Sequence, residues 1–398
     1  MPIETKQKAD GKKGWRICLL SSIPCTLWSF YRGLPDILKD EGIALEICSS
    51  PGVELDYFKE QFGISVHQVD ICRQVTPRRD MVTILKLIKI FKQNHYDLVH
   101  AHTPKAGLLG MIAATLARVK CRVYTCHGLP LETESGLKRQ LLVCVERVSC
   151  ALADQVLVVS DSLLSKLREY KICSDSKSAV LEDGTACGVE LNRFTRTSEL
   201  VKKSRAIRDY LNISDDDTVI GFIGRLVPDK GIHILAKSFA RLYELNRNIR
   251  LLVLGDIEPH RGRLSNETTK VLSNHPGITR VGFTHEIEPY YAAMDMLVLP
   301  TRREGFPYTL LEAGAMGLPV IATRVTGCVD AVVGGQTGLL VPPDNVIALT
   351  DAIEKLLKSP KLRQRMGQKA RERIETKFPS KRLLDAHVRL YRQMLEIG

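Results

Sequence analysis

TRREGFPYTLLEAGAMG, residues 301 to 317, lies between two apolar strand-like runs, 296–300 and 319–323. Such flanks make it a loop that feeds a helix inside a β/α alternation. Pro307 suits the first helical turn, where its missing N–H has no intrahelical partner to lose and its fixed φ is already helical. The helix is therefore predicted to begin near Pro307, with Glu304 on the preceding loop and Glu312 inside the helix. Free amides around Tyr308, Thr309 and Leu310 would then point out of the positive end, a setting that holds phosphate. Two carboxylates beside a phosphate site suggest a ligand that carries hydroxyls as well, and a nucleotide sugar is such a ligand. The competing reading leaves Glu304 to favour the helix dipole and puts Glu312 on a solvated face.

The alternation continues outward from this stretch. Apolar runs at 15–21, 44–48, 97–101, 122–126 and 155–159 are separated by helical patterns, among them 81–94, 107–117 and 137–153. Continuous apolar strands between helices make a parallel sheet covered on both faces, which is a doubly wound α/β domain. Turn residues break the pattern at 180–194, and 199–211 reads as a polar connector. A second series of strands follows at 218–223, 249–254, 279–283, 296–300, 320–323 and 338–341, and a last helix at 381–395 has no strand after it. The 398 residues exceed one ordinary core. The expected division is a disordered leader at 1–14, a Rossmann-like domain at 15–195, a second at 196–380 and a final helical segment at 381–398. Ligands of such sheets bind where the strand ends face a cleft.

A net charge of +12 favours an anionic partner: phosphate, nucleic acid or an acidic membrane surface. No nucleic-acid module is recognisable, so charge alone argues for that partner. The 11 cysteines show no C-x-x-C pair, and Cys18, Cys48 and Cys126 sit in strand-like runs as small hydrophobes of a reducing compartment. The longest uncharged apolar stretch, 106–117, is too short to span a bilayer, so a cytoplasmic protein with peripheral membrane contact is expected. MVTILKLIKIFK at 81–92 interleaves lysines with apolar residues, a pattern shared by a helix on an anionic membrane and a helix covering a sheet. A dehydrogenase is disfavoured because no G-x-G-x-x-G follows the first strand.

GFIGRLVPDKG at 221–231 offers Arg225 and Lys230 at the carboxyl end of a strand, a basic pair suited to a diphosphate. His100 and His102 alternate at a strand end, where one could be a hydrogen-bonded core histidine while the other looks into the cleft, and the core is the expected place for either. His127 ends a strand beside Gly128, where a ligand can approach closely. Asp215, Asp216 and Asp217, in the turn-like NISDDD, are expected to be solvated and not to bind metal.

GRLVPDKG at 224–231 and EGFPYTLLEAGAMGLPVIAT at 304–323 resemble the nucleotide-sugar site of the retaining GT-B glycosyltransferases. DLVHAHTPKAGLLG at 97–110, YTCHG at 124–128, VVSDS at 158–162 and DGTACGVELNRF at 183–194 have counterparts in the branch that builds bacterial capsule, exopolysaccharide and lipid-linked oligosaccharides. The resemblance implies that Arg225 and Lys230 hold the donor diphosphate, that Glu312 meets the ribose, and that Glu304 contacts the donor hexose near the reacting carbon. Gly305, Phe306, Tyr308, Thr309 and Leu310 complete the implied donor site, and His127 reaches the reaction centre from across the cleft. It further implies that the final helix crosses back onto the first domain.

One departure is SSIPCTLWSFYRG at 21–33, which has no glycine before Gly33 where many relatives have a glycine-rich loop. The acceptor side is therefore assigned only to Ser22, Arg32, His102 and Lys105, with Arg32 also readable as a helix-surface residue. The reading reached is a metal-independent retaining glycosyltransferase without cofactor, its donor UDP-linked, its acceptor a lipid-linked saccharide, and its location the inner face of the cell membrane. A sugar-nucleotide epimerase of the same architecture is the alternative.

Overall fold

The computed structural model describes residues 14–72, 74–258 and 262–397. Apart from Gly14, the expected leader lies outside the described residues. The first series runs β1 (Arg16–Ser21), α1 (Pro24–Tyr31), α2 (Leu34–Asp40), β2 (Ala44–Ser49), α3 (Glu54–Phe62), β3 (Val66–Gln68) and α4 (Pro77–Asn94). It continues through β4 (Leu98–His102), α5 (Pro104–Leu116), β5 (Cys121–Cys126), α6 (Gly136–Leu152), β6 (Gln155–Val158), α7 (Asp161–Glu169) and β7 (Ser178–Ala179). The second series opens with α8 (Ser198–Tyr210), β8 (Thr218–Ile223), α9 (Ile232–Leu245), β9 (Ile249–Leu254), α10 (Asn266–Asn274), β10 (Ile278–Val281) and α11 (Glu288–Ala293). It closes with β11 (Met296–Leu299), α12 (Tyr308–Ala315), β12 (Val320–Thr323), α13 (Cys328–Ala331), β13 (Gly338–Val341), α14 (Val346–Leu357), α15 (Pro360–Lys377) and α16 (Ser380–Ile397).

Among the described residues these strands form two parallel sheets, ordered β3-β2-β1-β4-β5-β6-β7 and β10-β9-β8-β11-β12-β13. Every residue of β4, β11 and β12 is buried, as a parallel strand with helices on both faces requires. The strand order reverses at β1 in the first sheet and at β8 in the second. The crevice beyond the carboxyl ends of these strands is where such sheets take ligands. No helix among the described residues is long and apolar enough to cross a membrane.

α16 returns to the first sheet. Its Leu384, Val388, Tyr391 and Leu395 share a core with Ile17 and Leu19 of β1. The Tyr391 hydroxyl lies 2.6 Å from His100 Nδ1, and Arg392 pairs with Glu41 at 2.8 Å. These contacts span the whole chain and fasten its end to its beginning.

Three local readings change. The expected connector is the helix α8, capped by the Thr197 side chain, which accepts from the Leu200 N–H, and packed on α11. β3 and β7 have three and two residues, too few for apolar periodicity to reveal them. Asp217 is buried instead of solvated: its carboxylate accepts from the Ser214 N–H at 2.9 Å and pairs with Arg250 at 3.3 Å, closing the turn before β8.

Candidate active site

α12 starts at Tyr308 with Pro307 as its cap, one residue after the position read from the sequence. The Leu310 N–H donates to the Pro307 carbonyl at 3.1 Å, so it is not among the free amides; those of Tyr308 and Thr309 have no such partner among the described residues. Beside this helix start a cavity of about 280 Å³ opens beyond the ends of β8 and β9. Arg225, Tyr308, Thr309 and Glu312 line it from the second domain, and Trp28 and Arg32 of the first domain line it from the opposite side.

Glu312 is only 4% exposed, which overturns the solvated-face reading. Its Oε2 accepts from the Tyr291 hydroxyl at 2.7 Å. Burial pushes its pKa up to about 8, against the smaller opposing pull of the tyrosine, so the carboxyl carries a proton at neutral pH. Arg225 keeps a more open position, with its guanidinium 3.7 Å from Glu258.

Lys230 and Glu304 do not line that cavity. They are ion-paired with each other, both largely withdrawn from solvent. Arg303, next in the chain, bonds Asp229 at 3.0 Å and the Thr133 hydroxyl at 2.9 Å, so it ties the same loop to both domains. Gly305 is pressed onto the end of β5: a Cβ there would fall 2.0 Å from the His127 carbonyl oxygen. Only a glycine allows that approach. The Ser160 hydroxyl donates to the Gly305 carbonyl at 2.7 Å, and Phe306 packs into the cores of both domains. Glu304 and His127, remote in sequence, are thereby brought to one place.

His127 stacks on Phe30 with ring centres 5.3 Å apart, and its Nε2 lies 3.3 Å from His102 Nδ1. Burial lowers its pKa to about 3, so the ring is neutral. His100 and His102 both take the core place expected for either, and the alternative of one facing the cleft falls away. Side chains two positions apart on a strand share a face, and both histidines are fully buried with ring centres 4.0 Å apart. His387 of α16 joins them, with its ring centre 6.1 Å from that of His100.

The proposed acceptor group is dispersed. The Ser22 hydroxyl is 2.8 Å from that of Thr103, and Lys105 pairs with Asp80 and donates to the Gln74 carbonyl at 3.0 Å. His102 is buried within the histidine cluster. Arg32 bonds Glu190 at 2.6 Å, with its guanidinium 4.9 Å above the Trp28 ring, and it faces the same cavity as Arg225 and Glu312. Sequence reasoning missed Tyr291, which holds Glu312. It also missed the Trp28–His285 contact at 5.0 Å, which meets across the cleft. The one available signal was helical spacing, which puts Cys25, Trp28, Ser29 and Arg32 on a single face.

The model described as "Glycosyl transferases group 1" matches residues 203–373, and "Glycosyltransferase Family 4" matches residues 36–185. Capsular polysaccharide biosynthesis glycosyltransferase CapM of Staphylococcus aureus is 32% identical over 365 residues, covering 92% of this chain and 94% of CapM. The UDP-Gal:alpha-D-GlcNAc-diphosphoundecaprenol alpha-1,3-galactosyltransferase of Escherichia coli is 25% identical, covering 88% of each chain. Anabaena HepE, solved with UDP-glucose, superposes with a TM-score of 0.78 at 20% identity over 95% of this chain and 99% of its own, a likeness of fold. With one family model on each sheet and identity to CapM sustained along almost the whole chain, the protein belongs to the family 4-like GT-B glycosyltransferases.

Proposed function

We propose that the chain is a retaining, metal-independent glycosyltransferase that moves a hexose or N-acetylhexosamine from a UDP-linked donor to a lipid-linked saccharide at the inner face of the cell membrane. The observation that carries this reading is the meeting of Arg225, the amino end of α12 and Glu312 around one cavity. Arg225 and Lys230 neutralise the diphosphate as it leaves, the arginine through two oxygens and the lysine as a point charge. That role can otherwise fall to a divalent cation. Glu312 exchanges hydrogen bonds with the ribose hydroxyls, and Glu304 contacts the hexose, with His127 on the far side. A neutral His127 orients the sugar without adding charge.

Catalysis then rests on positioning the acceptor hydroxyl and on stabilising charge that grows on the departing phosphate. The E. coli relative's name supplies a UDP-galactose donor and a diphosphoundecaprenol-linked acceptor, and HepE was solved with UDP-glucose; both support the donor class. CapM and the E. coli enzyme are both named as transferases, which gives the epimerase no support. Melting the protein with UDP, GDP and ADP, each with a chelator present, tests the donor, since a ligand that binds the native state raises apparent stability. Selective stabilisation by UDP is expected. Equal shifts for the three nucleotides would remove the UDP assignment, and a shift lost with the chelator would remove the metal-free one.

A further inference from the structure

The bond between His127 and His102 joins a residue at the cleft to one sealed in the core. His127 Nε2 lies 3.3 Å from His102 Nδ1. Both rings are uncharged at neutral pH, because burial lowers His102 as well as His127. A neutral imidazole carries one proton and accepts at its other nitrogen. The facing pair shares a single hydrogen, so only two arrangements exist: His127 donates to His102, or His102 donates to His127.

The surroundings of His102 decide between them. Its ring is fully buried, with the Tyr31 ring centre 4.6 Å away and that of His100 4.0 Å away. Its Nε2 has no hydrogen-bond partner among the described residues. His100 does not supply one, since its own nitrogens face the Tyr391 and Thr125 hydroxyls, each at 2.6 Å. If His127 supplied the shared hydrogen, His102 would keep its proton on Nε2, a buried donor with nothing to receive it. In the other arrangement His102 donates from Nδ1, and only a lone pair is left bare on Nε2. A buried N–H without an acceptor is the rarer orphan in folded proteins, so the hydrogen belongs to His102. His127 then accepts at Nε2 and carries its own proton on Nδ1, because the bond at one ring nitrogen sets the state of the other. That Nδ1 has no partner among the described residues, on a ring stacked against Phe30 and only partly covered.

We propose that His102 is a positioning residue that fixes His127 with its proton on Nδ1, so that His127 offers an N–H, and not a lone pair, to an oxygen of the bound hexose. The hexose contact rests on the role proposed above for His127, but the place of the proton is measured without donor or acceptor. Nitrogen-15 NMR of the full chain, labelled on histidine, reads it, since protonated and bare ring nitrogens resonate far apart. The His127 signals are identified by their loss in His127→Phe. The wild type should show the proton on Nδ1 at neutral pH. His102→Phe keeps a ring but removes the donor, so its His127 should show both tautomers, and kcat should fall about tenfold with donor KM little changed. His102→Asn, whose amide N–H stands in for Nδ1–H, should restore the single tautomer and most of the turnover.

A wild-type proton on His127 Nε2 overturns the proposal, and that measurement needs no variant to fold. So does a His102→Phe protein that keeps both the Nδ1 proton and wild-type kcat. Equal loss of turnover in the phenylalanine and asparagine variants also overturns it, since His102 would then serve the fold alone. A wild-type proton on Nδ1, together with full kcat in His127→Phe, would leave the tautomer standing and sink only the hexose contact.

Discussion

Lys230 and Glu304 form a direct ion pair between the loop after β8 and the loop before α12, with side chains 18% and 12% exposed. The pair joins the residue proposed to hold the diphosphate to the residue proposed to hold the hexose. Each therefore keeps the other in place before either meets a ligand.

This coupling predicts a separation of stability from turnover. Lys230→Ala leaves Glu304 with an uncompensated charge and should cost on the order of 3 kcal/mol, together with about a hundredfold in kcat. Adding Glu304→Gln removes the orphaned charge and should restore much of the stability, but none of the turnover. Denaturant melts and kinetics on the two variants check this. Recovery of both properties would make the pair structural only.

Glu312 should show the opposite balance. Its folded-state pKa is raised to about 8 by burial, so its favourable contribution is complete below the unfolded carboxylate pKa and is lost as pH rises through 8. Glu312→Gln removes that loss while keeping an acceptor for Tyr291, so the variant should melt at or above the wild-type temperature at pH 8. Donor KM should rise with little change in kcat if the ribose is contacted equally in ground and transition states. A kcat effect without a KM effect would move Glu312 away from the ribose.

The histidine cluster should make the fold acid-sensitive. Burial depresses His127 to about 3 and His387 to about 4, and it lowers His100 and His102 as well. The unfolded chain therefore binds more protons below its own pKa near 6.5. Stability is full above that value and is lost as pH falls toward 4 and then 3. Melting temperatures from pH 7 down to 4 should trace the loss, and His387→Gln should flatten the curve. Tyr391→Phe, which leaves His100 Nδ1 without its partner, should cost about 1–3 kcal/mol at neutral pH.

The three aspartates before β8 should behave unequally. Asp215 is exposed, and Asp215→Ala should be silent. Asp217→Ala loses the Ser214 amide and Arg250 together and should destabilise the fold by about 1–3 kcal/mol. Neither substitution should make transfer depend on manganese or magnesium. A variant that loses activity and regains it with added metal would give these carboxylates the role denied them here.

Arg32 offers the last discrimination. Because it faces the cavity lined by Arg225 and Glu312, Arg32→Ala should weaken UDP binding by about tenfold, an effect of roughly 1.4 kcal/mol. Titration calorimetry with UDP reads this directly. Unchanged UDP affinity with a raised acceptor KM would return Arg32 to the acceptor side.

Local chemistry was legible in the sequence. Buried strands of the β4 and β11 type announce themselves by unbroken apolar runs, because a parallel strand has no wet face, and Pro307 marked the start of α12 to within one residue. What depends on a partner remote in the chain was not legible. Nothing around Glu312 tells that Tyr291 and the packed core will bury it and hold its proton. Nothing near Asp217 announces Arg250. The shared face of His100 and His102 follows from strand geometry, but the ring of His387 that completes their cluster arrives on a helix at the far end of the chain. Periodicity, caps and turn residues act between neighbours and so determined the elements. Burial, ion pairing and the meeting of Gly305 with His127 depend on which surfaces close on each other, and only the packed tertiary structure decided those.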